Sequence, residues 1–215
     1  GFWTNKNVFI NVGGSYALSD IKEYKYILTD GNMPNENEWD NALIFNGGIG
    51  FGEDINKTLW VRAISNAGIE GEIASYPIKV KKTSPQNAQI FSDNPNNEGW
   101  YNSIPIIKIN PYIPEDIGVK TYYKIWNEKN GENEDTAEIK ELEINGQPSV
   151  NSDGEYKMIV WTVDEAGNRS INDVTGEYKV DMTAPTVTMN YDNNNSSNEK
   201  YYNSNRNATI KISET

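Results

Sequence analysis

Short runs of alternating apolar and polar residues recur along the chain, broken by clusters of Gly, Asn, Asp and Pro. Alternation of this kind turns one face of each run toward a core, and the clusters supply the turns between runs. In NVFINV the inward set is Val8, Ile10 and Val12; in IPIIKIN it is Ile107 and Ile109; in NATIKIS it is Ala208, Ile210 and Ile212. The run MIVWTV turns Met158 and Val160 inward, with Thr162 following on the same face. No stretch approaches the roughly 18 consecutive apolar residues of a spanning helix, so this segment contains no membrane span. The pattern predicts an all-β fold.

The runs repeat in order. GFWTNKNVFINV from Gly1, GWYNSIPIIKIN from Gly99 and KYYNSNRNATIKIS from Lys200 each join an aromatic pair to a polar turn and an alternating strand. Downstream, IKEYKYILTDG parallels VKTYYKIWNEKNG, LWVRAISNAG parallels MIVWTVDEAG, and YPIKVKKTSP parallels GEYKVDMTAP. The offset stays near about 100 residues, the size of one small β-sandwich. The predicted organisation is a first module over residues 1–84 that lacks its first strand and a complete second module over residues 85–182. The first two strands of a third module occupy residues 183–215. The ends fall inside the repeat, as in a slice of a longer array. About two strands are too few to stand alone. The third segment is therefore expected to pair with another copy of the chain or with a neighbouring sheet edge, such as the vacant edge of the first module.

Composition narrows the chemistry. The 215 residues include no Cys and no His, which excludes zinc sites built on thiolate or imidazole, Cys nucleophiles and Ser-His-Asp triads. The formal net charge of −12 argues against nucleic acid as a partner, because an acidic surface repels phosphate. The lack of Cys fits a cytosolic protein and a secreted bacterial one alike.

In DGEYKMIVW, Asp-Gly forms a turn and Tyr156 stands two residues before Met158. That is the tyrosine-corner spacing of an immunoglobulin F strand, with Met158 where antibody domains carry their second Cys. Trp126, on the preceding C strand, either covers the core or faces solvent. VDEAGN followed by YKVDMTAP resembles the D-x-A-G-N and D-x-T-A-P signatures of bacterial immunoglobulin-like surface modules, and LWVRAISNAG resembles the matching strand of fibronectin type III modules. The first module departs from the pattern, with Lys57 at the Tyr156 position and Lys81-Lys82 in place of Asp181-Met182. The resemblance implies tandem Greek-key sandwiches in a non-catalytic segment of a bacterial cell-surface repeat protein. Such a segment acts as a stalk, spacer or adhesin, outside the cell, with neighbouring modules and host or cell-wall glycans or proteins as partners. The alternative is an accessory, glycan-binding module of a secreted carbohydrate-active enzyme.

Three candidate chemistries follow. Asp164, Asn168 and Asp181, with Glu165, match positions at which related acidic arrays hold calcium at module junctions; the competing reading is turn capping by Asp and Asn. No other cofactor is implied. Trp3, Trp39, Trp100, Tyr101, Tyr201 and Tyr202 could stack on sugars; the recurring pairs fit core coverage better, which leaves Trp39, in the polar loop DGNMPNENEWDN, as the ligand-binding candidate. The carboxylate pair Glu134 and Asp135 lies in a hydrophilic loop with nothing to raise a pKa, so no enzymatic role is assigned. A Lys–Asn cross-link would need a buried Lys.

Overall fold

The computed structural model describes residues 2–15, 18–111, 118–143, 145–191, 205 and 207–213. The first part of the chain contributes β1 (Val8–Ile10), β2 (Ile21–Thr29), β3 (Leu43–Ile44), β4 (Ile49–Phe51), β5 (Ile55–Ser65) and β6 (Glu70–Val80). They form a four-stranded sheet in the order β3-β2-β5-β6 and a two-stranded sheet, β1-β4. Phe51, Leu59, Val61, Ile78 and Val80 are buried between the two, with Val8, Ile10, Val12 and Ile49 packed against them. Sheets stacked on alternating inward residues define a sandwich.

The second part repeats the plan with β7 (Gln89–Ser92), β8 (Trp100–Tyr101), β9 (Ile107–Asn110), β10 (Lys120–Asn127), β11 (Lys140–Glu141), β12 (Gly154–Val163) and β13 (Val174–Val180). The large sheet runs β11-β10-β12-β13-β8, closed at one edge by a parallel pairing of β8 with β13; the small sheet is β7-β9. Its core is separate from the first and contains Tyr101, Ile107, Ile109, Val150, Met158, Val160, Tyr178 and Val180. The inward assignments for Ile107, Ile109, Met158, Val160 and Thr162 hold, and all five side chains are buried. The chain is thus all-β, built as tandem immunoglobulin-like sandwiches.

Trp126 takes neither of the two positions foreseen for it. It is buried with Ile159 and Trp161 on the outer face of the large sheet, away from the main core, and Tyr122, Ala137 and Val163 pack around them. A 3-10 turn at Glu128–Asn130 and the loop to Ala137 fold back over this face. Trp161 stacks on Tyr122 at a centroid distance of 6.0 Å, and the Arg169 guanidinium lies 4.3 Å above its ring. Both faces of the sheet are therefore covered, and alternation alone assigns a side chain to a face without saying which face is dry.

The last strands, β14 (Thr186–Tyr191) and β15 (Ala208–Ser213), pair antiparallel with Val187 opposite Ile212 and Met189 opposite Ile210. This repeats the register of β7 on β9, where Ile90 faces Ile109. Nothing covers the terminal pair: Val187 is 64% and Ile212 72% exposed. The inward set expected for Ala208, Ile210 and Ile212 is exposed because no second sheet lies against it.

Leu59 and Met158 are equivalent in sequence and each is about 1% exposed in its own core. Replacing either by Ala is expected to cost about 2–5 kcal/mol. Urea unfolding followed by tryptophan fluorescence and by circular dichroism measures the loss for each variant.

Candidate functional site at the module junction

The residues that join the sandwiches are held by the same device twice. Before β5, the turn carries Asp54; its carboxylate accepts from the Lys82 and Thr83 backbone N–H groups, and the Thr83 hydroxyl donates to Oδ2 at 2.6 Å. Before β12, the turn carries Asp153; its carboxylate accepts from Met182 N at 2.7 Å and from the Thr183 hydroxyl. In each case an aspartate at the start of one strand fastens the Thr of the Thr-x-Pro segment that leaves the sandwich. Because Asp54 and Asp153 accept several hydrogen bonds, above all from Thr83 and Thr183, both carboxyls lie below their ordinary pKa.

The first junction is also held from its far side. Asn168 Nδ2 donates to Lys81 O at 3.0 Å, and Thr162 Oγ1 donates to Gln86 O at 2.7 Å. Pro85 and Ala88 are buried between these contacts. Ala88 belongs to the second core, so the linker is continuous with the packing of the sandwich it enters.

Asp164, the neighbour of that contact, serves the turn. Its Oδ1 accepts from Asn168 N at 2.8 Å and its Oδ2 from Asn168 Nδ2 at 2.9 Å, so one carboxylate holds the amide that grips Lys81 O. The calcium set expected from the sequence does not assemble. Asp164 and Asn168 follow the last residue of β12, whereas Asp181 sits beside its first, because Val180 pairs with Gly154. Ten strand residues separate the two ends by about 30 Å. Asp181 instead accepts from Thr183 N at 3.1 Å. Glu165 is exposed. Among the described residues no three acidic side chains cluster to hold a metal.

Trp39 is likewise displaced from the role its loop suggested. It is 3% exposed, at the base of a 3-10 helix over Glu36–Asn41 that lies against the outer face of the first large sheet. Arg62 Cζ lies 4.8 Å from its ring, and the guanidinium bonds Glu36 at 2.7 and 2.8 Å and Glu70 at 2.6 Å. The helix is fixed by a capping box, with Asn35 and Glu38 bonding each other's backbone N–H groups. A polar loop here encloses an aromatic, so the ring offers no face to a sugar.

The other sequence candidates disperse. Tyr156 Oη donates to Ser152 O at 3.1 Å, closing the turn before β12. At the matching place in the first sandwich, Lys57 pairs with Asp30 at 2.5 Å. Tyr101 is buried in the core, and Trp3 and Trp100 are half-buried, each with a lysine, Lys79 or Lys179, 5.9 Å from its ring. Tyr201 and Tyr202 lie outside the described residues. Glu134 and Asp135 are exposed in a turn organised by Asn133. No lysine is buried among the described residues.

No family model and no curated protein matches the chain. Solved structures do. One, described under host cell surface retention of a 1.5-MDa bacterial ice-binding adhesin, aligns over 86% of this chain and 62% of its own at 19% identity and a TM-score of 0.39. Another, of fibronectin(III)-like modules from Clostridium thermocellum CbhA, aligns over 83% of this chain and 87% of its own at 13% identity and a TM-score of 0.33. The chain thus spans less than two thirds of the first of these. What makes its units immunoglobulin- and fibronectin type III-like is their own strand pairing and two-sheet cores.

The aspartate clamp has a pH signature. A carboxylate whose pKa is depressed on folding adds stability that is complete above the unfolded value, about 3.9, and fades as pH falls through the lower folded value. Asp54→Asn and Asp153→Asn variants are expected to melt below the parent at pH 7 and to converge with it in strong acid. Scanning calorimetry from pH 7 to pH 2 reads this. With the carboxylates divided between the two ends of the sandwich, the melting temperature is expected to be the same in millimolar calcium and in chelator.

Proposed function

We propose that this chain is a non-catalytic segment of a bacterial surface repeat protein that works as a spacer. Its modules meet at Ser84–Pro85 and at Met182–Thr183, and it projects whatever lies beyond it at a set distance and angle. The observation that carries this reading is the first junction. There a linker of a few residues is bonded by Asp54 on one side and by Asn168 and Thr162 on the other.

A linker that only tethered two sandwiches would leave its backbone to water. Here the Lys82 and Thr83 N–H groups and the Lys81 and Gln86 carbonyls all have protein partners. Each such bond contributes on the order of 1 kcal/mol, and together they restrain rotation about the connection. Proline at position 85 fixes φ and removes a further degree of freedom. The acidic surface, at net charge −12, suits a solvated extracellular rod that resists self-adhesion through its flanks.

The test is a distance distribution. The chain lacks Cys, so spin labels can be placed at two exposed sites only, for instance Lys22→Cys and Lys140→Cys. Pulsed electron resonance is expected to give one narrow distance in the parent and a broadened one in the Asp54→Ala, Asn168→Ala double variant. A broad distribution in the parent would refute the spacer reading.

A further inference from the structure

The first sandwich contains an apolar groove of about 580 Å³ between the small sheet and the edge of the large one. Its walls are the segment Val8–Gly14 on one side and Glu72, Ala74 and Tyr76 of β6 on the other; Leu59 and Val61 form the floor. β1 has a single sheet neighbour, β4, and no β4 residue lines the groove, so the groove opens on the other edge of β1 and the residues that continue it.

The second sandwich shows what fits such a place. There β9 carries β7 along its edge, and β7 also lies against β13, the counterpart of β6. Ile90 of β7 packs on the core next to Ile109. The parallel pairings of Thr4 and of Tyr101, with Val80 and Val180, align the two sandwiches so that Ile10 matches Ile107 and Val12 matches Ile109. The groove of the first sandwich is therefore the seat of a strand equivalent to β7, and no described strand of this chain fills it.

The same chain carries a strand of the required kind. β14 pairs with β15 in the register β7 uses on β9, so Val187 corresponds to Ile90. Its apolar side chains are in water, Val187 at 64% and Met189 at 51% exposure. A two-stranded sheet without a second layer is marginal. Moving β14 from β15 to an edge with a groove beneath it keeps the number of ladder bonds and adds burial of Val187 and Met189.

We propose that the first sandwich is an acceptor for strand β14 of a second copy of this chain, which enters antiparallel with Val187 opposite Val12 and Met189 opposite Ile10. Donor and acceptor lie on different surfaces, so the contact is head to tail and chains extend into linear assemblies without closing as two-fold dimers. The donor strand TVTMNY carries no charge, so the acidity of the chain does not oppose its entry.

Sedimentation velocity of the full chain over a wide concentration range is expected to show mass rising beyond a dimer. Val187→Asp with Met189→Asp places charge on side chains that are solvent-exposed in the isolated chain. The double variant is expected to keep the parent's melting curve and remain monomeric. Register is read by mixing a Val12→Cys chain with a Val187→Cys chain under mild oxidation, which is expected to give a disulfide-linked heterodimer. A Val12→Cys chain mixed with Lys211→Cys is expected to give none. A parent that stays monomeric at every concentration overturns the proposal, even if the groove takes up an added Thr186–Tyr191 peptide. Association that persists in the double Asp variant overturns it as well. The spacer reading is judged by label distances across Lys81–Ala88, which neither outcome alters.

Discussion

The fold depends on one recurring contact, the aspartate at the start of a central strand that takes the backbone and hydroxyl of a threonine leaving the sandwich. Asp54 and Thr83, and again Asp153 and Thr183, tie the first residue after the last strand to the turn before β5 or β12. The bond spans 29 or 30 positions in sequence but only neighbouring strand ends in space. It stops the chain from peeling off the sheet edge where the ladder ends. Charge assistance makes it stronger than a neutral bond, and its two-point geometry sets the direction of exit as well as the anchor. A Gly at position 154 accompanies this turn for a separate reason: a Cβ there would come within 2.2 Å of the buried Asn127 amide, which bonds the Asp153 carbonyl.

A second constraint is that neither large sheet leaves its outer face bare. The strand that follows each clamp, β5 or β12, has core residues on one side and a wide side chain on the other. In the first sandwich that outward side chain is Arg62, clasped by Glu36, Glu70 and the Trp39 ring; in the second it is Trp161, stacked between Tyr122 and Arg169. The positions are equivalent in sequence, and each is roofed by the segment between its second and third large-sheet strands. A cation under an aromatic and an aromatic under a cation are the same cation–π contact with partners exchanged. The roof fixes the polar loops, which is why DGNMPNENEWDN is ordered by a capping box instead of standing open.

Much of this was legible in the sequence, and what was not has physical causes. The repeat and the inward residues Met158, Val160, Ile107 and Ile109 follow from period-two alternation, which is robust where one face is dry. Trp39 and Trp126 were misplaced because alternation cannot distinguish a solvated face from one covered by a distant loop. The calcium set failed for a geometric reason: Asp164 and Asp181 flank the same repeat signature, but β12 runs the full height of the sandwich and carries them to opposite ends. The clamp aspartates were read only as turn formers. A signal was available, since Asp54 and Asp153 precede matching strands just as Thr83 and Thr183 precede matching prolines, and paired recurrence of polar residues at turn and linker points to contact.

The two junctions, finally, are not equally stiff by construction. The clamp on the near side is common to both, but the grip on the far side belongs to the loop of the following sandwich. In the second sandwich that loop is Asp164–Asn168, whose Asn168 amide reaches Lys81 O. In the first sandwich the corresponding loop ends in Ile69, whose backbone is bonded to Ser65 and whose side chain is exposed. It has no side-chain amide with which to hold a linker carbonyl. Stiffness between successive modules is therefore a property written into the later module's loop, position by position, and an array of nearly identical sandwiches can alternate rigid joints with loose ones by exchanging Asn for an apolar residue at this single place.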